Sequence, residues 1–288
     1  MYKFDPSEPV DAGFRAIALS QLNDALAELD RSDGDARELV HASRRRCKKL
    51  RGLLQLARAA FKDFAMENAA LRHAAALLSH LRDEDVLRQT LNELASHSDA
   101  HAERLRSIAE NLQDLGDGSA RGKLAEFRTA LESVRDRAPL WSLTTDEPFA
   151  LIAGLRRTYR QGRRLMHTSE RSRAPARFHE WRKATKNHGF HIDLLKRAAP
   201  AVLDNDLRAV DELATCLGIH HDLVVLREEA LRNPARFGDR DDIEAVRNSI
   251  EQRLPHIERH AFDLGRQIFA ERPKAVAQRF RAYWDTAR

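Results

Sequence analysis

Two clusters of cations define the chemistry open to this chain. The first reads His41-x-x-Arg44-x-x-x-Lys48, with Arg45 and Arg51 beside it; the second reads His179-x-x-Arg182-x-x-x-Lys186, with Lys183 beside it. On a helical wheel His41, Arg44, Arg45, Lys48 and Arg51 fall within about 120° of arc, and Leu39, Leu50, Leu53, Leu54 and Ala57 lie opposite. His179, Arg182, Lys183 and Lys186 likewise group against Trp181, Ala184, Ile192 and Leu195. Each helix therefore offers one face for packing and one strip of cations. Arg and Lys donate charge-assisted hydrogen bonds to phosphoryl oxygens, Arg through two N–H groups at once. Histidine donates as well, and a nearby anion favours its charged form. Cations one helical turn apart, about 5.4 Å, can follow successive phosphates of an extended polymer. Read as solvated groups, they add little to stability, so reversing their charge should leave the chain folded or relieve repulsion.

The charge is segregated. Residues 37–58 carry eight Lys/Arg against one acid, Glu38, and residues 154–197 carry thirteen against Glu170, Glu180 and Asp193. Those segments hold +17 in a chain whose net charge is +5, so the remainder is acidic. Concentrated positive charge beside an acidic remainder suggests an anion-binding surface.

The elements that must hold these strips are helices. Gly (12) and Pro (9) are sparse among 288 residues and cluster in a few places, leaving long stretches rich in Ala, Leu, Arg and Glu. The pattern predicts helices over 10–29, 36–64, 67–79, 83–97, 100–115, 119–137, 149–167, 176–198, 203–217, 222–232, 239–254, 256–270 and 274–283, with no strand alternation. The fold class is all-α. The clearest breaks are 116–118 and 139–148, where Thr144-Thr145-Asp146-Glu147-Pro148 offers capping residues for the next helix.

The two cationic motifs are offset by 138 residues. A second pair, Arg82-Asp83-x-x-Val86-Leu87-Arg88 and His221-Asp222-x-x-Val225-Leu226-Arg227, is offset by 139. Recurrence in the same order at nearly the same offset predicts two related four-helix bundles, residues 1–143 and 144–288, forming one larger domain. Asp83, Asp85 and Asp222 are read as helix-start caps or partners of the basic helices, with direct contact to a ligand as the alternative, and His220 and His221 are left open between the same two roles.

His41-Ala-Ser-Arg44-Arg45-Arg46-Cys47-Lys48-Lys49-Leu50-Arg51 followed by Leu81-Arg82-Asp83-Glu84-Asp85-Val86 resembles the first half of a CHAD protein, the conserved histidine α-helical domain. Phe178-His179-Glu180-Trp181-Arg182-Lys183-Ala184-Thr185-Lys186 followed by Leu217-Gly218-Ile219-His220-His221-Asp222-Leu223 resembles the second half. The resemblance implies two helical bundles related by a pseudo-two-fold axis, a basic groove that binds inorganic polyphosphate, and association with polyphosphate granules. The sequence departs from the pattern at Asn187-His188-Gly189-Phe190, where Gly189 costs a helix roughly 1 kcal/mol relative to Ala and supplies no cation. No strand pattern of a triphosphate-processing domain precedes residue 10, so that activity is not implied.

Three other functions compete, one of them a helical adaptor that sets its basic faces against an acidic protein. A metal-dependent phosphohydrolase would use His221-Asp222 with His188 or His191; an HD dipeptide alone is weak evidence, and Arg82-Asp83 replaces it in the other half. The i, i+4 pairs His97/His101 and His256/His260 read as surface or interhelical pairs. A nucleic-acid-binding protein would use the same cations, but aromatics make up 6% of the chain and do not interleave with the basic runs. The sequence thus assigns no catalytic residue, metal ligand or cofactor. Trp141, Trp181 and Trp284 read as core anchors, and Cys47 and Cys216 as reduced, buried thiols. With no secretory signal and no long apolar run, the chain is expected in the cytoplasm, away from membranes.

Overall fold

The computed structural model describes residues 2–30, 36–78, 83–112 and 120–288. Side chains of 36, 37, 83, 84, 120 and 121 lie outside the description, as do all of Leu81, Arg82 and the 116–118 break. The described residues form eleven α-helices: α1 (Val10–Leu29), α2 (Ala36–Ala57), α3 (Phe64–Leu77), α4 (Asp83–Ala95), α5 (Ala102–Asn111), α6 (Ala120–Arg137), α7 (Phe149–Ser172), α8 (Pro175–Leu195), α9 (Pro200–Arg232), α10 (Arg240–Ile268) and α11 (Pro273–Thr286).

Prolines at the first turn, where the missing N–H has no intrahelical partner anyway, open α8, α9 and α11. Asp239 caps α10: its side chain accepts from the Asp242 N–H while Asp242 accepts from the Asp239 N–H. Two of the breaks expected in the second half are absent. α9 runs unbroken through Gly218 and Asp222, so Asp222 sits mid-helix and caps nothing. α10 runs through Pro255, on an exposed stretch of the helix where solvent can take the carbonyl the ring leaves unbonded. In the first half, α2 ends at Ala57, seven residues before the expected end. Before α7 the Thr144–Pro148 segment does not cap: Asp146 accepts from the Asp11 N–H and Thr145 from the Glu147 N–H.

α1 packs on α2 and α6, and α3 packs on the same two helices. α7, α8, α9 and α10 pack in successive antiparallel pairs, with α11 against α7. α4 and α5 dock on α9 and α10, and α2 packs on α7 and α8. The buried apolar residues accordingly form one continuous cluster from Tyr2 to Trp284. Trp141, Trp181 and Trp284 lie within it, as do Cys47 and Cys216, both free thiols. Burial pushes the Cys47 thiol up to about 12.

Three connections tie the early helices to the later ones. Glu67, fully buried, accepts two hydrogen bonds from Arg137 and one from Trp141 Nε1, fixing α3 to the segment that leads into α7. Gly154 of α7 crosses α2 where a Cβ would stand 1.9 Å from the Leu56 carbonyl oxygen, and Arg157 donates to the Gln55 carbonyl at 2.7 Å. The N-terminal segment lies across both regions: Tyr2 donates to the Lys49 carbonyl on α2, and the Phe4 N–H donates to the Leu194 carbonyl on α8. Among the described residues no helix is long and apolar enough to cross a membrane.

Candidate anion-binding surface

The predicted packing faces are buried. Leu50, Leu53, Leu54 and Ala57 of α2 and Trp181, Ala184, Ile192 and Leu195 of α8 all lie in the core, whereas Leu39 near the start of α2 is only half-buried. The opposite faces are less uniform than a solvated strip. On α2, His41 and Arg45 are exposed, but Arg44, Lys48 and Arg51 are half-buried. Arg44 donates to the Leu78 carbonyl at the end of α3 at 2.7 Å, and Arg51 donates to Asn68 at 3.2 Å. Burial lowers the Arg51 pKa, with Cys47 opposing that shift and Arg72 adding to it. Two other basic residues of α2 serve the fold: Arg46 is held by Glu28, Asp24 and Gln21 of α1, and Lys49 lies 4.7 Å over the Tyr2 ring.

α8 repeats this arrangement against the helix that follows it. Lys183 is exposed and paired with Glu180 at 2.8 Å. Lys186 is half-buried near Asp211 of α9, whose carboxyl pKa burial, then Asp193, push up and Lys186 offsets in part. Arg182 lies over Gly218 of α9, where a Cβ would be 3.7 Å from its Nε. The His179 ring sits 4.5 Å from that of His221. Burial, then Lys183 and Arg182, hold the His179 pKa below the ordinary histidine value. Burial, then His179 and Arg182, hold His221 down at about 4. Both rings are therefore neutral at pH 7 in the free protein, and His179 Nδ1 is buried without a hydrogen-bond partner. His179, Arg182 and His221 thus crowd hydrogen-bonding nitrogens together where an anion would both accept hydrogen bonds and offset the charge.

His221 is the residue the sequence left undecided and the α8–α9 pairing brings in. Its neighbours diverge from it. His220 turns into the core, stacked on Phe178 at 4.1 Å with Nε2 3.4 Å from Glu258. Asp222 faces α4, lining a crevice with Thr90, Leu94 and His97. Asp85 is half-buried near the start of α4, and the Asp83 side chain lies outside the described residues.

The histidines of the hydrolase reading do not meet. His188 is buried beside Tyr159 and Phe269, and His191 donates from Nε2 to the Gly52 carbonyl at 3.1 Å. Both sit nine to twelve residues beyond His179 on α8, about 14–18 Å along the axis. Among the described residues no three His, Cys, Asp or Glu side chains converge as metal ligands would. His260 pairs with Glu212 at the surface.

The α2 and α8 helices touch through Gly52 and Phe190, where a Cβ on the glycine would lie 2.9 Å from the phenylalanine Cβ. Each is eleven residues beyond the histidine that opens its row, so each row begins about 16 Å from the contact. The family model for the CHAD domain matches residues 16–231, from α1 into α9, and contains both rows. The chain belongs to the CHAD family. No curated protein and no solved structure matches it. In this CHAD domain the matched stretch ends just before α10, so α10 and α11 pack onto the family region from beyond it.

Proposed function

We propose that this CHAD domain binds inorganic polyphosphate, without catalysing a reaction, through a basic groove to which α2 contributes His41, Arg44, Arg45, Lys48 and Arg51 and α8 contributes His179, Arg182, Lys183 and Lys186. His221 joins the second set. The two helices are read as equivalents in bundles 1–143 and 144–288 related by a pseudo-two-fold axis, with the protein in the cytoplasm on polyphosphate granules. The family, which is associated with polyphosphate binding, supports the ligand.

The observation that carries the reading is the cluster of His179, Arg182 and His221, with a buried imidazole nitrogen that lacks a partner. The α2–α8 contact supports the shared groove, because a long chain held by one row stays at high effective concentration near the other.

The test is calorimetric titration at about 0.15 M salt, where counterion release weakens every polyanion but leaves their ranking readable. Long-chain polyphosphate should bind more tightly than duplex DNA of equal phosphate content, and more tightly than short chains able to occupy one row. Arg45→Glu with Lys48→Glu, or Lys183→Glu with Lys186→Glu, should each weaken long-chain binding at least tenfold. Tighter binding of DNA would move the assignment to nucleic acid. Equal binding of short and long chains, or full affinity in either double variant, would remove the shared groove.

A further inference from the structure

Far from the cationic rows, a cavity of about 210 Å³ opens between α7, α8, α9, the end of α10 and α11. It is smaller than the roughly 300–1,000 Å³ of drug-sized sites, so its occupant is small. Ile192, Val210, Val276 and Phe280 give it an apolar wall. Its charged groups are Asp206, Glu271 and Arg279, a formal net of −1. Arg279 donates to one oxygen of Asp206 at 2.9 Å and one of Glu271 at 2.8 Å, leaving each carboxylate a second oxygen. The Tyr159 hydroxyl is already committed, donating to the Ile268 and Glu271 carbonyls.

His188 also lines this cavity. It is 3% exposed, and its Nδ1 has no hydrogen-bond partner. Burial, then Arg279, hold its pKa at about 3, so the ring is neutral. A buried polar atom left unpaired destabilises the fold. The repeat does not require that cost: the residue 138 positions earlier is Leu50, fully buried in α2. An imidazole stands where an isobutyl group would pack.

We propose that the cavity is a binding site for a small aliphatic amine. Its ammonium group finds acceptors in the free carboxylate oxygens of Asp206 and Glu271, beside the neutral His188 ring, and its methylenes lie on Ile192, Val210 and Val276. The net negative lining and the neutral imidazole select against an anion of the same length. α11 and Glu271 build one side of the cavity and lie beyond the family-matched residues, so the site is not a property of the matched region.

The probe is 1,4-diaminobutane, titrated calorimetrically into the full chain at about 0.15 M salt and neutral pH, against butane-1,4-diol and succinate. The diamine should bind with 1:1 saturation and at least tenfold more tightly than either analogue. Ala209→Phe, which fills the cavity, and His188→Leu, which restores the residue type of position 50, should each weaken the diamine at least tenfold. His188→Leu should remain folded, which keeps the test readable if Ala209→Phe does not. Tighter binding of succinate, absence of saturable diamine binding, or undiminished affinity in His188→Leu would overturn the proposal.

Discussion

Gly52 and Phe190 lie 138 residues apart, the offset that separates the two cationic motifs, and they touch. At this crossing of α2 and α8 the glycine makes room for the aromatic side chain. A Cβ at 52 would stand 2.9 Å from Phe190 Cβ and 3.1 Å from the Tyr2 hydroxyl. Phe190 Cβ is tied to its backbone and yields little. Gly52→Val should therefore destabilise the protein by about 1–3 kcal/mol through overpacking. Urea denaturation reads this directly, and an unchanged midpoint would mean that α2 and α8 are free to separate there.

The cations of one row should differ in what they do for the fold. Arg44 is anchored on the Leu78 carbonyl and half-buried, whereas Arg45 is exposed on the same helix. Arg44→Ala should cost about 1.5–3 kcal/mol, the value of a charge-assisted hydrogen bond. Arg45→Ala should change stability by less than about 0.5 kcal/mol. The expectation that every cation in the rows behaves as a solvated charge holds for Arg45 and fails for Arg44. Matched thermal and urea melts of the two variants would show equal stabilities if Arg44 is as solvated as Arg45.

Acid should separate the free protein from its complex. His179, His188, His191 and His221 are all held below the ordinary histidine value, His188 and His191 at about 3. As pH falls below about 6.5 the unfolded chain takes up these protons first, so stability present at neutral pH is lost progressively toward pH 4. For the fully buried His188 the loss is on the order of 2–3 kcal/mol at pH 4.5, and His188→Leu should remove it. At His179 and His221 a bound polyphosphate favours the charged form, so affinity should rise between pH 7.5 and 5.5. Melting temperature against pH, with and without long-chain polyphosphate, tests both. A pH-independent affinity would place these two rings outside the binding surface.

Much of the fold is decided by local rules. The α1 boundaries, the buried faces of α2 and α8 and the core positions of the three tryptophans follow from apolar spacing, because one side of each helix must leave water. Family membership is equally legible, since the motifs of both rows lie at fixed spacings in the matched residues. The continuity of α9 and α10 was not legible. Gly218 and Pro255 are helix breakers by propensity, and packing of a long helix outweighs roughly 1–3 kcal/mol of local cost.

The division of labour among the cations, and the company they keep, came only from tertiary structure. Nothing in the spacing of Arg44 and Arg45 says that one will reach a carbonyl 34 residues away while the other faces water. Nothing adjacent in sequence says that His221 will lie against His179 while His220 turns to Phe178. A 3.6-residue period fixes which side of one helix is polar. Which polar groups are then drawn together depends on how two helices pair, and that is set by contacts between residues far apart in the chain.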